Sequence, residues 1–154
     1  MILAIALTLH LLAVVVWVGG MFFMHMILRP IAAELLEPPL RFALLVKVLA
    51  RFFFWVWMAV ILLWLTGLWI IWDYGGLSPV DIHIHTMLLL GAIMTLLFVY
   101  LFFLPWPQFQ HATAERNFTQ AANYLNSIRR IVATNLLLGL TIILIVRIGR
   151  QLLL

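Results

Sequence analysis

The chain contains no cysteine. That absence excludes disulfides, thiolate metal sites and cysteine nucleophiles, and leaves His, Met, carboxylate and backbone as the donors a metal could find. Charge is scarce as well: Asp, Glu, Lys and Arg make up 9% of the 154 residues, whereas 67% are hydrophobic. A soluble domain usually devotes about a quarter of its residues to charge. This chain cannot dress a water-facing surface, and its mean hydropathy of +1.20 makes lipid its solvent. Glu34, Glu37, Asp73, Asp81 and Glu115 all fall in loops or at the ends of apolar runs. No carboxylate pair is therefore available inside a span, which argues against a hydrolase. The nine Lys and Arg residues read as a topology signal and not as nucleic-acid binding.

What remains is four apolar runs, at about 2–27, 52–72, 79–104 and 131–148. Each is close to the roughly 20 residues that cross the hydrocarbon core as a helix. Backbone polar groups cannot stay unpaired in lipid, so the runs predict helices. The first is read as a span and not as a cleavable leader, because it has no basic start and its apolar run is too long. The expected fold is all-α and integral to the membrane: one domain, a bundle of four transmembrane helices in a lipid bilayer.

The loops between the runs carry unequal charge. Loop one, 28–51, holds Arg29, Arg41, Lys47 and Arg51, and loop three, 105–130, holds Arg116, Arg129 and Arg130. Loop two, 73–82, has Asp73 and Asp81 but neither Lys nor Arg. Loops one and three are thus expected in the cytoplasm of a bacterial-type inner membrane, with both termini outside. Part of loop three, from His111 to Arg130, reads as helical. Trp69, Trp72, Tyr74 and Trp106 stand near span ends, as an interfacial aromatic belt would.

Ionisable residues inside spans are costly and so mark candidate sites. His10 is one. At the start of the third run, Ser78 as N-cap, Pro79 at the first position and Asp81 three residues after the cap fix a helix start. His85 then lies roughly 9 Å into its span, and His10 roughly 12 Å into its own, both from the outer face. Two imidazoles at similar depth on different helices are what a b-type haem needs above and below its iron. His83 and His85 are about 200° apart on a helix and cannot share a face. His85 is nearly in line with Ala92, near Gly91 and Thr95, and small residues mark the packed side of a membrane helix. His85 is therefore expected to face inward and His83 the headgroups. Arg147 and Arg150 carry charge at the outer end, where they would either meet haem propionates or snorkel to headgroups. On the first helix, Met21 and Met24 lie next to His25, a soft group that suits Cu(I) or is simply packing. Asn135, four residues before Gly139, is expected to bind a neighbouring helix.

These residues carry a resemblance. Leu9-His10-Leu11-Leu12, then Trp17-Val18-Gly19-Gly20-Met21-Phe22-Phe23, then Leu28-Arg29-Pro30 resembles the opening helix of the copper-resistance D (CopD) family. The four-span layout, His83-Ile84-His85 and Leu125-Asn126-x-Ile128 are also similar to the HemJ-type protoporphyrinogen oxidases. The HemJ likeness implies haem b, with His10 at the position of the implicated histidine. Their third helix opens with His-x-Lys, and His85 stands where that lysine would be. This points away from protoporphyrinogen oxidation and toward a bis-histidine site. The CopD likeness implies copper uptake or tolerance.

Three functions follow as expectations. The first is a membrane b-type cytochrome, with haem on His10 and His85, Arg147 or Arg150 at the propionates, and one-electron transfer with a quinone or small oxidant. The second is a copper-handling protein using Met21, Met24 and His25. The third is a membrane subunit without catalysis.

Overall fold

The computed structural model describes residues 1–77 and 82–152, with side chains through Val146. The described residues are helical throughout, apart from turns. Helix α1 spans Ile2–Leu35 without a break. Within it, Val15–Gly19 and Phe23–Leu28 are wound as π-helix. Helix α2 is Pro38–Asp73, α3 is Ile82–Phe103, α4 is Pro105–Ala114 and α5 is Phe118–Leu152. Four segments are long and apolar enough to cross a membrane, with α3 and α4 counting as one. The protein is a multi-pass membrane protein of four spans.

The helices run beyond the apolar runs that announced them. Helix α2 begins at Pro38, although Arg41, Lys47 and Arg51 gave this stretch the look of a loop. The reason is amphipathicity. Phe42, Leu45 and Leu49 are buried on one face, while Lys47 and Arg51 point outward from the other. At helical spacing such charges decorate a helix and do not end it. The junction at Pro105-Trp106-Pro107 likewise starts a helix. Pro is at home in a first turn, where its missing N–H had no partner to lose. Trp106, expected in the interfacial belt, is instead 5% exposed and packs edge-on against Phe53 at 5.1 Å. Trp72 and Tyr74 are exposed, as a belt requires. The polar stretch of loop three is helical but split: α4 stops at Ala114, Arg116 takes a positive φ of 57°, and α5 restarts at Phe118. Ser78, Pro79 and Asp81, the expected start of α3, lie outside the described residues.

The bundle is two helix pairs. Helix α1 packs along α2, and α3 packs along α5, with α4 resting on α5. The α1–α2 pair is antiparallel: Gly20 abuts Phe52, whereas His10 abuts Gly67. The pairs meet largely through big aromatic rings at the basic end. Trp57 stacks edge-on against Phe98 and Phe102 at 5.1 and 5.5 Å, and Phe53 against Phe98 and Trp106 at 5.8 and 5.1 Å. Each such contact contributes about 0.5–1.5 kcal/mol beyond burial. Asn135 ties α5 to α3, its Nδ2 donating to the Met94 carbonyl at 3.1 Å, as its position in the sequence suggested. Toward the end where α1 begins, no comparable aromatic cluster among the described residues fills the space between the pairs.

A cavity on His10 and a cleft on His25

Where that filling stops, a cavity of about 450 Å³ opens. All four long helices wall it: His10, Val14 and Trp17 from α1, Val60, Trp64 and Gly67 from α2, Met87, Gly91 and Met94 from α3, Gly139, Ile142 and Val146 from α5. Its size falls in the range of about 300–1,000 Å³ typical of small-molecule and cofactor sites. The cavity is half open, so a lipid chain or a ligand can enter it.

Two polar contacts face this apolar wall. Trp64 Nε1 donates to Thr95 Oγ1 at 3.1 Å, joining the two helix pairs. His10 Nδ1 lies 2.9 Å from Thr66 Oγ1. The direction of the second bond can be worked out. A hydroxyl has one proton, and that of Thr66 is directed to the Leu62 carbonyl at 2.6 Å. Thr66 must then accept from His10 Nδ1–H. In a neutral imidazole this leaves the lone pair on Nε2, which has no protein partner among the described residues. Orienting one ring nitrogen through a bond to the other is how proteins prepare a histidine to bind metal. Gly67 lies against the ring: a methyl group there would sit 3.4 Å from His10 Cε1, in ordinary van der Waals contact.

His85 is not on this wall. The expectation that it faces inward is corrected: His85 is exposed, whereas His83 is half-buried with its Nδ1 enclosed and unpartnered. At about 100° per residue, the cavity-lining face of α3 centres roughly 120° from His85 and roughly 80° from His83. The inward face was inferred from Ala92, which does not line the cavity, whereas Gly91 and Thr95 do. The side chains of Arg147 and Arg150 lie outside the described residues.

Met21 and Met24 are buried in the core, and His25 is half-buried. Met24 and His25 border a second, much smaller cleft of about 30 Å³, shared with Arg29 and Arg129. Two guanidinium groups so close disfavour a bound cation. The described residues contain no cluster of three or more His, Asp or Glu that would hold a metal.

Residues 46–148 match the family described as Copper resistance protein D, CopD. That is well over half of the chain. The protein belongs to the CopD family. The CopD match covers α3, α4 and most of α2 and α5, and so includes Thr66, Gly67, Gly91 and Gly139 on or beside the cavity wall. It begins at Val46 and leaves out α1, the helix whose Leu9-His10 and Trp17-Val18-Gly19-Gly20 carry the resemblance in sequence. No curated protein and no solved structure matches this CopD chain. The likeness to HemJ-type proteins thus rests on the residues alone.

The site residue that the sequence does not reveal is Thr66. It stands 56 positions from His10, and threonines in membrane helices commonly bond their own backbone. Its one legible sign is adjacency to Gly67, a small residue within an otherwise bulky run.

Proposed function

We propose that this protein handles copper in the membrane, taking Cu(I) as cargo at the cavity and presenting it to His10. The observation that carries the reading is the donor set. His10 offers an unpartnered Nε2, and Met87 and Met94 are the thioether residues on the same wall. Imidazole and thioether are the soft donors that select Cu(I) over harder cations, and the described residues of the wall include no carboxylate to attract those. Membership of the CopD family supports the same reading. Met21, Met24 and His25 belong to a second candidate position, less suited to a cation because Arg29 and Arg129 stand beside it. The positive-inside rule supports an orientation with the His25 end in the cytoplasm and the cavity toward the outer leaflet.

The test is metal content. Protein purified from copper-supplemented cells, with Cu(I) retained against a chromogenic chelator, should hold about one copper per chain, and His10→Ala should lose it. Deleting the gene should change cellular copper accumulation or tolerance. Copper-free protein together with an unchanged copper phenotype would overturn the proposal.

A second reading is favoured by the cavity's volume and its tryptophans: haem b, whose flat macrocycle is apolar apart from its propionates, with His10 as the residue that would hold its iron. The wall fits such a group through one imidazole, since His85 lies elsewhere. When bound, haem would supply one-electron chemistry, with a quinone or another redox partner as the counterpart. The chain's own part is to orient His10 through Thr66 and to exclude water with Trp17, Trp64 and the aliphatic wall. The reading predicts a Soret band that disappears in His10→Ala. Colourless protein from haem-sufficient cells would eliminate it.

A further inference from the structure

The cleft at the basic end has a composition unlike anything else in the bundle. His25 and Arg29 from α1 and Arg129 from α5 converge on it, with Met24, Ile128 and Val132 completing the wall. Arg29 Nε is enclosed by protein and makes no hydrogen bond. A buried guanidinium nitrogen without a partner is expensive, because its desolvation is uncompensated. The only ion pair among the described residues joins His111 to Glu115, so no carboxylate balances Arg29 or Arg129. Three basic side chains thus share one cleft with no counter-charge among the described residues. Its 30 Å³ would hold one or two water-sized groups, about what the projecting oxygens of a phosphate need.

We propose that this cleft is an anion site that takes a phosphate group, with Arg29 and Arg129 as paired donors and His25 as the third. Arginine is the residue suited to this work, since its planar fork gives parallel charge-assisted bonds to phosphate oxygens. The location indicates the source. The cleft lies where the apolar stretch of α1 gives way to Arg29-Pro30, the level at which lipid phosphates sit, and basic pockets between helices on the cytoplasmic side bind lipid headgroups. Free phosphate offers the same oxygens and is separated by experiment. The inference does not depend on what fills the cavity.

The full chain, purified and stripped of lipid in a neutral detergent, would be titrated in two arms: phosphatidylglycerol, and inorganic phosphate. Native mass spectrometry and the thermal unfolding midpoint are the readouts. One phosphatidylglycerol should be retained per chain, with a rise in midpoint. Arg129→Gln should weaken this roughly tenfold, the size expected for losing a charge-assisted bond. Arg130→Gln makes the same charge change at an exposed position outside the cleft and should alter binding less than about twofold. Arg129 is exposed on α5, so its substitution does not threaten folding. Arg29→Lys, which keeps the charge but removes the fork, should give an intermediate loss. Binding of phosphate alone with the same Arg129 dependence supports the site with a free anion as ligand. Binding of phosphatidylglycerol alone supports it with a headgroup. No binding in either arm, or equal weakening by Arg129→Gln and Arg130→Gln, overturns it.

Discussion

Helix α1 carries two histidines, His10 and His25, roughly 22 Å apart along its axis, and their surroundings differ in nearly every respect. His10 faces a large apolar cavity, has a hydroxyl behind it and meets no charged group among the described residues of the cavity wall. His25 borders a cleft some fifteen times smaller, between two arginines. The same imidazole is set as a lone-pair donor at one end and as one of three hydrogen-bond donors at the other. The difference teaches that a histidine in a membrane helix is defined by its second neighbour. Thr66 fixes the tautomer of His10, and Arg29 with Arg129 fixes the sign of the ligand at His25.

The comparison breaks most visibly by exchanging the two losses. His10→Ala should reduce retained copper, or haem, by more than about 100-fold, while His25→Gln leaves it within twofold. If His25→Gln removes the ligand and His10→Ala does not, the metal belongs to the Met24–His25 corner. Next in size is a test of the empty volume itself. A methyl placed on Gly91 would meet nothing within 4 Å, so Gly91→Phe should fill the cavity, abolish ligand uptake and leave the unfolding midpoint unchanged or higher. A lowered midpoint with ligand still bound would show that Gly91 does not face the site.

Two smaller effects sharpen the contrast. Thr66→Val removes the acceptor for His10 Nδ1–H and should weaken ligand binding about 10–100-fold, whereas Thr66→Ser restores it to within a few-fold. If Thr66→Val binds like wild type, the hydroxyl only bonds its own helix. Gly139→Ala should act on stability and not on the cleft. An added methyl would lie 2.8 Å from Val18 Cγ2 and 3.3 Å from Met94 Cε. Such overpacking costs about 1–3 kcal/mol, measurable as a fall in unfolding midpoint with phosphatidylglycerol binding intact.

Much of the fold was legible because lipid imposes one rule, that backbone polar groups pair internally, and long apolar runs obey it visibly. The helix ends were less legible. Lys47 and Arg51 look like loop residues in a string of letters, yet they occupy the outer face of a helix whose other face holds Phe42, Leu45 and Leu49. His10 was legible as an ionisable residue deep in an apolar run. Its partner was not, since a threonine 56 residues away gives no periodic signal. The choice between His83 and His85 failed for a geometric reason: on an α-helix, Ala92 and Gly91 are about 100° apart, so choosing one small residue over the other as a guide turns the inferred face by that angle.

The two π-helical stretches of α1, Val15–Gly19 and Phe23–Leu28, have a consequence for how this helix tolerates change in length. A π turn accommodates roughly one residue more than an α turn. The first stretch separates His10 from Gly20, which sits against Phe52, and the second contains His25. Removing one residue from the first would let it relax to ordinary α-helix and leave His10 close to its present phase. Removing one from the regular α-helix at 11–14 would instead turn everything before it by about 100°, swinging His10 away from Thr66 while the His25 cleft stayed in register. The π stretches are thus the places where α1 can give up a residue without losing helical phase, and that phase, as much as the identity of any side chain, is what the helix must preserve.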